Sequence, residues 1–114
     1  MRIAIPTNDK QTIFKRSGRT AGFLIMDVDQ SHSSVVDYRA NQHHHHHHGS
    51  EEEHEHGHSH KEIVAALQDC DYLVVNMIGK HFGGDIKAAG IKVFKTDETE
   101  IDKAVEQFKE KVLL

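Results

Sequence analysis

At 114 residues and a net charge of −4 with its histidines neutral, the chain has room for one core and lacks the basic field that holds nucleic acid. Its single cysteine, Cys70, excludes an intramolecular disulfide framework and a cysteine-based zinc knuckle. The opening MRIAIPTND carries no signal-peptide apolar region and no long apolar run follows, so the expectation is a cytoplasmic protein with no membrane span.

Arg2–Pro6 (RIAIP) reads as a first strand, with Ile3 and Ile5 on one face, Ala4 on the other, and Pro6 and Asn8-Asp9 ending it. Residues 7–20 form a polar loop carrying Arg16, Ser17, Gly18 and Arg19. Gly22–Asp29 (GFLIMDVD) and Ser33–Arg39, the latter centred on Val35 and Val36, read as a second and third strand. The short turn between them makes an antiparallel hairpin. Residues 42–60, QHHHHHHGSEEEHEHGHSH, then interrupt every periodicity and hold ten of the twelve histidines. The expectation is one domain over 1–114, with 41–59 a His/Glu-rich flexible loop.

Ser59-His60-Lys61-Glu62 has the form of a capping box, and Ile63, Val64, Leu67 and Cys70 behind it share one helical face. Cys70 on that face reads as a buried small apolar residue rather than a nucleophile. Tyr72–Asn76 (YLVVN) is a continuous apolar run, the mark of a strand buried on both faces. A second helix follows MIGKHFGGD and runs to about Ala89, with Gly90 as its stop, and Ile91–Phe94 is the next strand. Thr99-Glu100-Ile101-Asp102 imitates another capping box, and Ile101, Val105, Phe108 and Val112 form one stripe of a closing helix. The order β-β-β-α-β-α-β-α predicts an α/β fold: a five-stranded mixed sheet with three helices, its last two strands parallel.

His54, His56, His58 and His60 recur with period two. In an extended chain they share a face, and in a helix His54/His58 and His56/His60 pair at i, i+4. Either arrangement brings two imidazoles to one ion, with Glu51, Glu52, Glu53 and Glu55 nearby. Imidazole suits divalent nickel or zinc among others, so the tract is expected to bind such metal. Two readings of residues 43–50 stand side by side. His43–His48 with Gly49-Ser50 has the form of an affinity tag and linker, whereas its internal position and the irregular run after it favour a native loop. Gly79 with Gly83-Gly84, helped by Lys80 and His81, has the makings of an anion cradle at the start of the second helix. The pattern is neither a Walker motif nor a dinucleotide fingerprint, and glycines that merely permit a tight turn would look the same.

RIAIP, SGRTAGFLIMDVD and CDYLVVNMIGKHFGGDIKAAGIKVFKT together resemble the dinitrogenase iron–molybdenum cofactor biosynthesis family, the small NifX/NifB-C-terminal-like domain. The match covers nearly all of the chain outside the tract. It implies a ribonuclease-H-like fold and a role in carrying iron–sulfur or iron–molybdenum cofactor precursors, with a partner protein in cluster assembly. Members of this family usually show a His-Phe-Gly-Arg-like motif before the second strand. Arg16, Ser17, Gly18 and Arg19 stand there, so Gly18 and Arg19 carry over as cofactor-binding residues and the histidine does not. His81 supplies an imidazole in its place if the two loops meet, together with Gly79 and Lys80.

A ribonuclease-H-like sheet raises the question of nuclease chemistry, but two-metal nucleases need clustered carboxylates and the first strand has none. No Ser/His/Asp spacing stands out, and only His32 and His81 lie outside the tract as near-neutral acid–base groups. The expectation is a non-enzymatic metal- or metallocluster-binding protein. The competing class is a protein-interaction module with a disordered loop and no dedicated metal role.

Overall fold

Ile3 and Ile5 turn to one side of β1 (Arg2–Pro6) and Ala4 to the other, and both sides are covered, so β1 lies inside the sheet. The computed structural model describes residues 1–41 and 56–114, and the side chains of all these except 56–60. β2 (Gly22–Val28) pairs antiparallel with β1, and β3 (Ser33–Ala40) pairs antiparallel with β2. α1 (His56–Ala66) crosses to β4 (Tyr72–Val75), which is parallel to β1. α2 (Lys80–Ala88) then crosses to β5 (Lys92–Lys95), parallel to β4. α3 (Ile101–Phe108) is the last helix and widens into a π-helical turn over Lys109–Leu113. The sheet order is β3-β2-β1-β4-β5, a five-stranded mixed sheet with three helices.

The helices divide between two cores. The stripe Ile101, Val105 and Phe108 of α3 packs on Ile3, Ile5, Leu24 and Val74. The rings of Tyr72 and Phe94 meet Phe108 edge-on at 5.0 and 5.3 Å, the arrangement aromatic quadrupoles favour. On the other face Ile63 and Leu67 of α1, with Phe82 and Ile86 of α2, cover Ala4, Phe23, Ile25, Leu73 and Val75. Cys70 is buried with them. Gly90, at φ +86°, ends α2 as expected: its N–H donates to Lys87 and that of Ile91 to Ile86, a left-handed cap that glycine takes without steric cost.

Two local expectations are corrected. α1 begins at His56, one turn ahead of the capping box at Ser59, because extending a helix costs less than starting one and Ser-x-x-Glu spacing is equally compatible with a helix interior. α3 takes Glu100 rather than Thr99 as its cap residue, without a side-chain bond, because the N–H of Ile101 is taken by the carbonyl of Gln11. The third strand forms as expected, with Val35 and Val36 within it. β3 is an edge strand whose register slips between Ile25 and Met26, and the two valines are 61% and 44% exposed. Such a bulge hinders pairing with another edge.

Among the described residues, no helix is long and apolar enough to cross a membrane.

Candidate functional site

β1, β3, β4 and β5 run one way, so the connections leaving β1, β4 and β5 collect at one edge of the sheet. Residues 7–21, the connection leaving β1, are shaped by their own polar side chains. The Asp9 carboxylate accepts from the N–H groups of Gln11 and Thr12 at 2.9 and 2.7 Å and from the Thr12 hydroxyl. These bonds hold its pKa far below the ordinary carboxylate range. Asn8 Oδ1 accepts from the N–H of Ala21, tying the two ends of the loop together. Backbone bonds then pin the loop to its neighbours: Ile13 N–H to the carbonyl of Thr99, Phe14 N–H to Pro6, and Ile101 N–H to Gln11.

The far limb of that loop carries a 3-10 turn, Ser17–Arg19, and leans on the connection after β4. Arg16 bridges Met77 in parallel, and the buried Ser17 Oγ donates to the carbonyl of Met77 at 3.1 Å. A methyl at Gly18 would lie 3.9 Å from the ring of Phe82 in α2. The two segments picked from sequence, Gly18-Arg19 and Gly79-Lys80-His81, therefore flank one junction. Gly79 is the cap residue of α2, extended and without a side chain to cover the helix start, and Gly83 N–H closes the first helical bond on its carbonyl. The amides of Lys80 and His81 precede that bond, at the positive end of the helix dipole. Gly83 and Gly84 lie inside the helix rather than in a loop ahead of it, which removes them from the expected cradle. Arg19, Gly79, Lys80 and His81 are all exposed.

Charge distinguishes this edge from the opposite one. There, Arg2 reaches Asp27 and Asp69 at 2.8 and 2.9 Å, and Arg39 reaches Asp69 and Asp37 at 2.6 and 3.2 Å as well as the carbonyl of Ala66. The Arg39 and Arg2 guanidiniums hold Asp69 well below the usual carboxylate range. Lys15, Arg16, Arg19 and Lys80 at the loop edge make no ion pair with any described residue. These four cations stand exposed beside a helix start, at an edge that also carries Asp9, Asp97, Glu98 and Glu100. His32, the other histidine outside the tract, sits in the β2–β3 turn against Ser31, away from this edge.

Sequence reasoning missed Ser17 and Asn76. Asn76 ends β4 and donates to the carbonyls of Thr96 and Glu98 at 2.9 and 2.7 Å, lashing the β5–α3 connection to this edge, while its Oδ1 is buried without a partner. A polar residue closing the apolar run YLVV was the available signal. Of the tract residues, His54 lies outside the described residues, as do the side chains of His56, His58 and His60. The backbone at the latter three is helical, in α1. Among the described residues, no group of three or more histidine, cysteine, aspartate or glutamate side chains is placed to hold a metal ion.

These features define an α/β domain whose loop junction, at the ends of its parallel strands, exposes Arg19, Lys80 and His81. The chain belongs to the dinitrogenase iron-molybdenum cofactor family, which matches residues 1–111. No curated protein matches the sequence. Three solved structures share the fold. The apo form of the orange protein from Desulfovibrio gigas is 23% identical, with a TM-score of 0.69 over 96% of this chain and 87% of that one. A NifB candidate from Thermotoga is 24% identical, with a TM-score of 0.60 over 96% and 88%. A dinitrogenase candidate from Methanocaldococcus jannaschii is 18% identical, with a TM-score of 0.60 over 100% and 92%.

Proposed function

We propose that this protein is a non-enzymatic carrier of an anionic metallocluster, an iron–molybdenum cofactor precursor or an iron–sulfur cluster, which it passes to a partner in cluster assembly. Family membership supplies the cargo class, and the observation that carries the reading is the junction of Gly18-Arg19 with Gly79-Lys80-His81. Its donor set fits such a cargo in one particular way. The only thiol, Cys70, is buried and pushed up to about 12 by desolvation and by the neighbouring Asp69, so no thiolate ligates a cluster. What the junction offers is guanidinium, ammonium, backbone N–H and one imidazole, which hold an anion by charge and hydrogen bonds. A cargo bound this way is released without breaking a cysteine–metal bond, as handover requires. The sheet order, with β2 alone antiparallel, supports assigning the ribonuclease-H-like label to the fold.

The His-rich tract belongs to the same proposal as a reservoir for nickel or zinc, with His54, His56, His58 and His60 as ligands. Support comes from composition. Ligation needs neutral imidazole, so uptake is expected to fall below about pH 6. We read the junction as a carrier site rather than a catalytic one, and the protein as cytoplasmic.

Anaerobic titration with an iron–sulfur cluster donor and with nickel tests both parts, comparing the full chain with one that lacks residues 42–55 and carries His56→Ala, His58→Ala and His60→Ala. These changes are expected to abolish nickel uptake and leave cluster uptake intact, whereas Arg19→Ala with Lys80→Ala is expected to weaken cluster uptake about tenfold or more. If cluster uptake vanishes with the tract and ignores Arg19 and Lys80, the junction is scaffold and the carrier reading is wrong.

A further inference from the structure

The cations and N–H groups of the junction recognise negative charge, and sulfur is a weaker hydrogen-bond acceptor than oxygen. On those contacts alone phosphate or molybdate would be held at least as well as a sulfide-rich cargo. Selecting the cargo takes a further contact, because specificity is a difference between two affinities. Soft side chains are few in this chain, which carries three methionines and one cysteine. Cys70 is buried ahead of β4 and Met26 is buried within β2. Met1 stands at the opposite edge of the sheet, where its amino group donates to the carbonyl of Val28. Met77 is the fourth, and it stands at the junction.

A lone exposed apolar side chain is ordinary, but the setting of Met77 is not. Its main chain is held from both sides. Asn76 before it donates to the carbonyls of Thr96 and Glu98. Ile78 after it packs inward, where a methyl at Gly83 would meet it at 3.7 Å. Met77 itself bridges Arg16 and takes the Ser17 hydroxyl on its carbonyl. With its backbone fixed in this way and its neighbour buried, Met77 is still 55% exposed. Two residues on, Gly79 adds no side chain, and the space where its methyl would sit is open.

We infer that Met77 is the specificity-determining residue of the junction: its thioether gives a soft, polarisable contact that favours a sulfide-rich metal anion over an oxyanion of equal charge. Its three rotatable bonds let it settle on cargoes of different size. The inference rests on the carrier reading and adds to it the basis of selection. No covalent step is involved.

Tetrathiomolybdate and molybdate make the test, since both are tetrahedral dianions that differ in sulfur against oxygen. Each is titrated into the full, metal-free chain labelled with carbon-13 at its methionine methyls. Tetrathiomolybdate is expected to shift the Met77 methyl saturably, with Met1 and Met26 as unmoved references. It is expected to bind at least about tenfold tighter than molybdate. Met77→Gln, followed through the amides of Gly18 and Gly79, is expected to weaken tetrathiomolybdate about tenfold and molybdate by less than about twofold. Equal affinities for the two anions overturn the inference. So does an unmoved Met77 methyl, or a Met77→Gln variant that loses both anions alike. If iron–sulfur cluster uptake then still depends on Arg19 and Lys80, the carrier reading stands without this one, whereas a chain that takes up neither cluster nor tetrathiomolybdate loses both.

Discussion

The hydroxyl of Ser17 donates to the carbonyl of Met77 across sixty residues of sequence, and it is the side-chain bond that fastens the β1–β2 connection to the β4–α2 connection. Ser17 is 2% exposed, so Ser17→Ala leaves a buried carbonyl without this donor. The expected cost is about 1 kcal/mol, read as a lower urea midpoint with unchanged slope. Cluster uptake should weaken beyond that, because Gly18 and Arg19 lose their fixed place beside Lys80. A variant with full uptake and full stability would show that the backbone bridge at Arg16 suffices.

Asp69 joins three elements by receiving Arg2 of β1 and Arg39 of β3 at the turn after α1. Its pKa is depressed in the folded state, so its stabilisation is complete above about pH 4 and is lost as acid protonates it. Asp69→Asn should cost about 1 kcal/mol at neutral pH, a modest figure because the carboxylate is half-exposed and screened. The difference from the unmodified chain should shrink steadily below pH 4. Denaturation midpoints across that range, with a gap that stays constant, would contradict this.

Cys70 is buried and its thiol is pushed up to about 12. The thiolate is the nucleophile, so the folded protein should resist a disulfide-exchange reagent at neutral pH and react fully once denatured. Rapid stoichiometric labelling of the native state would mean that the α1–β4 turn opens readily.

Gly22 begins β2 against the face of Tyr38, whose hydroxyl donates to the Thr7 carbonyl at 2.9 Å. A methyl there would come within 2.7 Å of Tyr38 Cε2 and closer still to Cζ. Gly22→Ala should therefore cost about 1–3 kcal/mol, and pairing it with Tyr38→Leu should recover part of that. Thermal melts of the single and double variants make the comparison.

Much of the architecture was legible because burial writes itself into apolar runs. RIAIP, GFLIMDV and YLVV each became a strand, and the spacing of Ile101, Val105 and Phe108 matched the packed face of α3. The junction was half legible. Its residues could be named in two separate segments, but the bonds that join them, Ser17 to Met77 and Asn76 to Thr96, connect positions far apart in sequence and leave no local pattern. Capping motifs misled for the converse reason. Ser59 and Thr99 carry good local signals, yet the helix ends are set by neighbouring turns and by the loop held at Gln11. That Arg19 and Lys80 make no ion pair with a described residue, whereas Arg2 and Arg39 at the opposite edge do, is likewise visible only in three dimensions.

β3 and β4 run in the same direction, so the segment between them must travel back along the sheet, and α1 is the described part of that return. Asn41, at the end of β3, is held by Thr20 and Ala21 at the loop edge, and α1 travels back from that edge towards β4. Most of the histidine run falls between Asn41 and the start of α1. Closing a longer insert adds only about 0.6 kcal/mol per doubling. On the role proposed for the tract, any chelating residues between Asn41 and His56 lie outside the five strands, whose pairing is made wholly by other residues.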